Sequence, residues 1–240
     1  MDRSIGTLRA GLRDLDIADN TLVWFNSDNG GLTGISPGTV GGLRGSKNTV
    51  YEGGLRVPCV IEWPAVIEGA RITRYPTATM DIFPTIASIL DLPKSAMLQP
   101  QDGLSIRPLF DKELKDRPKP IGFRHLDKAA FINQDYKIVA QALSQGPFEL
   151  YNVVDDPNET KNLADKRPAL AKRLIQEYVT WYASVEASIA GNDYPEGHVH
   201  PDHPTRRDWT LSDEYAPYID EWKERPEYKS YMMRVRGEQP

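Results

Sequence analysis

Asp28 and Asn29 stand together at the end of an apolar run, Thr21-Leu22-Val23-Trp24-Phe25, and at the head of a glycine-rich stretch. A carboxylate and an amide oxygen are both hard donors, of the kind that hold Ca²⁺ or Mg²⁺. Asp-Asn-Gly is also strong turn chemistry, and pattern alone favours reading the same residues as a strand-ending turn. Two oxygens fall short of the roughly six to eight that Ca²⁺ takes, and a metal here needs ligands from elsewhere. Lys47, in Gly45-Ser46-Lys47-Asn48-Thr49, is a candidate anion clamp on a glycine-lined loop; its plain alternative is a solvated surface lysine. It is not a Walker A lysine, because Ser46 and Asn48 interrupt that motif.

Other groups of residues carry less. Gly34-Ile35-Ser36-Pro37-Gly38 has the spacing of a nucleophile elbow, but Pro37 lacks the N–H that must follow such a serine. His198, His200 and His203 are close enough in sequence to share a transition metal, in a Pro- and Asp-rich setting that reads as a polar surface loop. Asp155 to Leu163 reads as a turn after a strand, and the sequon Asn158-Glu159-Thr160 as incidental.

The elements that must position these residues follow from periodicity. Ile5, Leu8, Leu12 and Leu15 form one helical stripe over the first twenty residues, which Asn20 ends. Residues 21–25 and 57–63 are continuous apolar runs, read as strands buried on both faces. Nine of the eighteen glycines fall between Gly30 and Gly54, alongside Arg44, Lys47, Glu52 and Arg56. Fixed charges among so many glycines indicate a loop that lets backbone approach a ligand. Thr79 or Asp81 would cap a helix with Pro84 in its first turn and Ile82, Ile86, Ile89 and Leu90 on its apolar face. Runs at 121–126, 130–141 (turning at Asn133-Gln134-Asp135) and 148–154 predict a small antiparallel sheet. Residues 168–189 predict a long amphipathic helix, and the last fifty an extended tail.

Composition narrows the function classes. Acidic residues number 34 against 29 basic, a net charge of −5, which argues against a general nucleic-acid binder. No apolar run approaches the ~18 residues of a membrane span, and the start does not resemble a signal peptide. The single cysteine, Cys59, excludes an internal disulfide and a multi-Cys zinc site. It reads as a small apolar residue in a buried strand.

Four segments together resemble the sulfatases of the alkaline-phosphatase-like superfamily. Thr21 to Gly31 is similar to the family's strand and metal-binding Asp-Asn-Gly turn. The block Gly42-Leu43-Arg44-Gly45-Ser46-Lys47-Asn48-Thr49-Val50-Tyr51-Glu52-Gly53-Gly54-Leu55-Arg56-Val57-Pro58 closely resembles its second signature. Residues 79–86 resemble the helix that follows, and 149–163 the C-terminal subdomain. The resemblance implies an α/β fold: the C-terminal part of the sheet core over 1–115, a small α+β subdomain with an antiparallel sheet over 116–190, and a tail over 191–240. It implies that Asp28 and Asn29 ligate a divalent cation, usually Ca²⁺, and that Lys47 contacts the sulfate. Arg44, Glu52 and Arg56 are expected to brace the loop.

The family nucleophile is a formylglycine made from a Cys/Ser-x-Pro/Ala-x-Arg motif, which is absent from this chain. The remaining metal ligands are absent with it. The resemblance therefore implies a C-terminal portion that is inactive alone and completed by an N-terminal half carrying the formylglycine. The expected ligand is a sulfated small molecule or glycan. Family analogy suggests a periplasmic or extracellular location, although the sequence itself leaves localisation open. Two rival readings are a non-catalytic module that binds sulfated glycans or a partner chain, and a phosphoester or phosphonate-ester hydrolase.

Overall fold

A computed structural model describes residues 2–34, 38–192, 213, 215–222, 224, 225 and 228. Two compact units divide the chain, Met1–Glu196 and Gly197–Pro240. The first carries helix α1 (Asp2–Asp14), strand β1 (Val23–Asn26), a short helix α2 (Glu52–Leu55), β2 (Cys59–Glu62) and α3 (Ile82–Ile89). It continues through β3 (Ile121–His125), β4 (Lys128–Asn133), β5 (Tyr136–Ala140) and β6 (Phe148–Asn152) to the long helix α4 (Pro168–Ile189). In the second unit the described structure is chiefly α5 (Ala216–Trp222), where the Tyr218 and Trp222 rings stack 5.4 Å apart. His198, His200, His203 and Ile35–Pro37 lie outside the described residues. Among the described residues no helix is long and apolar enough to cross a membrane.

Two sheets organise the first unit. β1 and β2 pair antiparallel, Trp24 opposite Ile61 and Phe25 opposite Val60. Alternation along the strands turns Trp24 and Ile61 to one face, where they pack with Tyr75, Ile106 and Leu109. Phe25 and Val60 turn to the other face, and Val60 remains 62% exposed. The second sheet is a four-stranded antiparallel meander, β3-β4-β5-β6. The apolar run at 130–141 becomes two strands because Asn133–Asp135 makes a tight reversal, with Gln134 at φ 54°. Helix α4 lays Ala171, Leu174 and Tyr178 on this sheet against Phe131, Ile138 and Leu150. Trp181 presses so closely on Gly122 that a Cβ there would come within 2.1 Å of the indole.

The expected burial of the first sheet is corrected. β1 is half-buried, Cys59 is exposed, and α1 buries no residue, leaving Leu8 and Leu15 of its stripe in solvent. The reason is that the described residues pair two strands only and cover one face of them. Helix α1 is tied to the open face through Arg9, whose Nη2 donates to Glu62 Oε1 at 2.7 Å.

Asp81 stands at the N-cap position of α3 as expected, but its side chain makes no capping bond to that helix. It accepts the amides of Ala78 and Leu104, both at 2.9 Å. It also takes two guanidinium bonds from Arg117, at 2.7 and 2.8 Å, in a site where both side chains are shielded from water. This two-pronged pair, reinforced by two amides, meets the geometry a buried ion pair needs to offset its desolvation. It fastens the start of α3 to the segment entering the second sheet.

Candidate active site

The Asp28–Asn29 turn and the Lys47 loop meet through the backbone. Gly30 donates its amide to Gly54 O at 2.9 Å, and Lys47 donates its own to Gly31 O at 3.0 Å. The loop is closed at its base by the Gly53 amide on Arg44 O, 2.7 Å. This closeness requires glycine: a Cβ at Gly30 would lie 1.9 Å from Gly53 O. The glycine-rich composition is thus consumed by chain crossing chain, with the turn and the lysine loop side by side.

Asp28 is exposed and Asn29 half-buried. Both line a broad cleft of about 2000 Å³, together with Asn48, Thr49 and Arg56. The Asn29 amide nitrogen donates to Gly30 O at 2.9 Å, which orients the amide and leaves Oδ1 without a hydrogen bond among the described residues. An exposed carboxylate beside an oriented, unengaged amide oxygen suits a hard divalent cation and supplies a fraction of its shell. Among the described residues no group of three or more His, Cys, Asp and Glu could hold a metal. Lys47 is exposed, and its amine has no hydrogen-bond or ion-pair partner among the described residues, so its charge is available to an anion.

What holds the loop is a polar network that sequence reasoning missed in large part. Lys137, in the middle of β5, is fully buried. Its amine donates to Glu52 Oε1 at 2.9 Å and lies 2.9 Å from Glu159 Oε1, the second a charge contact without hydrogen-bond alignment. Glu159 Oε2 accepts the Glu52 amide at 2.7 Å. Burial pushes the Glu159 carboxyl above its ordinary value, against the opposing pull of Lys137.

Arg44 grips β6 and the turn after it from the loop's other end. It donates to Tyr151 OH at 2.8 Å, to Glu159 O at 3.0 Å and to Tyr51 OH at 3.1 Å, with its guanidinium 3.9 Å over the Tyr51 ring. Glu149 accepts from both tyrosines, at 2.8 Å from Tyr151 and 3.0 Å from Tyr51. Desolvation and the adjacent Glu149 raise both phenols, keeping them neutral donors. Arg44 and Glu52 therefore brace the loop, while Arg56 reaches Glu52 only at 3.9 Å from solvent. The one sequence signal for the buried centre was a lysine set among Ile138, Val139 and Ala140, where an unpaired ammonium would be costly.

Comparisons with known proteins bear on this arrangement. Residues 1–92 match the sulfatase family model. A sulfatase of Formosa agariphila is 34% identical over 200 residues, spanning 70% of this chain and 34% of that protein. Mouse steryl-sulfatase is 37% identical over 119 residues, 46% of this chain and 19% of that one. Among solved structures, Ps i-CgsB, crystallised also in complex with k-i-k-neocarrahexaose, superposes with a TM-score of 0.65 at 29% identity, covering 75% of this chain and 40% of its own. Residues 1–92 thus carry the sulfatase family's domain, the chain beyond them is similar to sulfatases, and the fold is the α/β fold of the alkaline-phosphatase-like superfamily. It spans about a third of the length of the Formosa relative and a fifth of the mouse one.

Proposed function

We propose that this chain supplies part of the active site of a sulfate-ester hydrolase, with Asp28 and Asn29 as cation ligands and Lys47 as the anion-binding charge. The observation that carries the reading is the pair of backbone bonds, Gly30 to Gly54 and Lys47 to Gly31, which set the two oxygen donors and the free ammonium on adjoining turns. Asp28 and Asn29 would hold a divalent cation, of which Ca²⁺ is the family's usual one. Such a cation, when bound, neutralises negative charge on a sulfate. The Lys47 ammonium adds a fixed positive charge where charge develops on the transferring group, an effect that is strongest in a water-poor site.

The nucleophile, a formylglycine by family resemblance, and the other cation ligands are proposed to come from an N-terminal half of the enzyme. The open face of β1–β2, with Phe25 and Val60, and the unburied apolar stripe of α1 supply the surface that such a half would cover. The substrate would be a sulfated small molecule or glycan. The test is co-expression of this chain with a polypeptide carrying the N-terminal half of a sulfatase. Copurification and turnover of p-nitrophenyl sulfate are expected, with none from the 240-residue chain alone; turnover by the single chain, or a copurified but inert pair, would defeat the proposal.

A further inference from the structure

We propose that Lys137 is a positioning residue for the anion-binding loop, acting at a distance from the substrate through Glu52 and Glu159. The inference deepens the reading of Asp28, Asn29 and Lys47 given above and rests on it. Lys137 belongs to the second sheet, where it stands opposite Tyr151 of β6, and has no part in the cleft. It bridges the carboxylate of Glu52, at the end of the lysine loop, to the carboxylate of Glu159, in the turn after β6. That turn in turn holds both ends of the loop, since Glu159 Oε2 takes the Glu52 amide and Glu159 O takes Arg44. Lys47 sits between these two grips. Glu52 is followed directly by Gly53 and Gly54, whose backbones meet Arg44 and Gly30. The small subdomain therefore serves as the clamp that fixes the site turn by turn: Lys137 to Glu52, Glu52 to Gly54, Gly54 to Gly30 and the Asp28–Asn29 pair.

The arrangement also explains why a lysine is buried in an otherwise apolar strand. An ammonium enclosed in protein persists when it is paired and hydrogen-bonded, and here both partners lie outside the four strands, Glu52 on a segment whose Val50 packs against Ala130, Val139 and Tyr151. An apolar residue at this position would leave the Glu52 and Glu159 carboxylates without their shared cation and remove this grip on the loop.

The test is amide hydrogen exchange on the full chain, comparing wild type with Lys137→Met and Glu52→Gln. In both variants, exchange across residues 44–54 and at Gly30 and Gly31 is expected to accelerate tenfold or more, while β4, β5 and α4 stay within twofold of wild type. A role confined to the sheet would move the strand amides and the loop amides together, and that result overturns the proposal, as does unchanged loop exchange in a folded variant. Where Lys137→Met unfolds the chain altogether, Glu52→Gln decides, because it alters only the loop's side of the contact: a loop-only acceleration supports the proposal and an unaltered loop refutes it. Exchange is read without turnover, so a failure of the sulfatase reading and a failure of the clamp are distinguished.

Discussion

The Gly30 amide bonds to Gly54 O at 2.9 Å, and the space beside it is so filled by Gly53 that a methyl group at position 30 would overlap the Gly53 carbonyl. Gly30→Ala is therefore expected to part the turn from the lysine loop at a cost of about 1–3 kcal/mol, the range for overpacking that backbone must absorb. Chemical denaturation measures the cost, and unchanged stability together with unchanged exchange at Lys47 would show that the two segments are not in contact.

The Asp81–Arg117 pair is buried on both sides, so removing one partner strands a charge. Arg117→Met is expected to lower stability by about 3–5 kcal/mol. Arg117→Lys should recover little of it, since an ammonium cannot reproduce the two parallel bonds that Asp81 receives. Urea titration of both variants checks the order; a fully rescued lysine variant would mean that charge, and not the two-pronged geometry, matters there.

Tyr178 is enclosed by Phe131, Phe148, Trp181 and Tyr182, and its hydroxyl has no hydrogen-bond partner among the described residues. Burial pushes its phenol up to about 12, above the ordinary 10.0, with the nearby Tyr182 adding to the shift. A raised pKa in the folded state means that the neutral form is favoured there. The associated stability is present in full below pH 10 and is lost as pH rises through about 12. Tyr178→Phe should remove this alkaline loss and, by deleting an unpaired buried hydroxyl, leave neutral-pH stability equal or higher by about 1 kcal/mol. Thermal melts at pH 7 and across the alkaline range read both effects, and a variant that melts earlier at pH 7 would contradict them.

Much of this fold was legible in the sequence because its signals are local. The period of apolar residues at 168–189 matches α4 to the residue, and the polar turn at Asn133–Asp135 marks the break between β4 and β5. The proposed site was legible through motif resemblance, with Asp28, Asn29 and Lys47 already singled out. What escaped was whatever depends on contacts distant in the chain. The partner of Asp81 is thirty-six residues away and that of Glu52 eighty-five, and no periodicity links them. Burial of β1 and β2 was misjudged for a related reason: an apolar run records what a strand can bury, whereas its cover must come from other segments.

Lys47 is exposed and unpaired among the described residues, so Lys47→Ala should leave the melting temperature within about 1 °C, in keeping with a surface change of under ~0.5 kcal/mol. Calorimetry of the single chain provides this control, and a large loss of stability would mean that the lysine has a structural duty instead.

The most direct test compares Asp28→Ala, Asn29→Ala and Lys47→Ala in the enzyme completed by its N-terminal half, with p-nitrophenyl sulfate as substrate. Each is expected to lower kcat/KM by about 10²-fold or more, the scale of losing one electrostatic contact in such a site, while the pair still copurifies. Added Ca²⁺ should restore part of the activity in the two cation-ligand variants and none in Lys47→Ala. Wild-type turnover from all three variants would contradict the assignment of this turn and this loop to the active site.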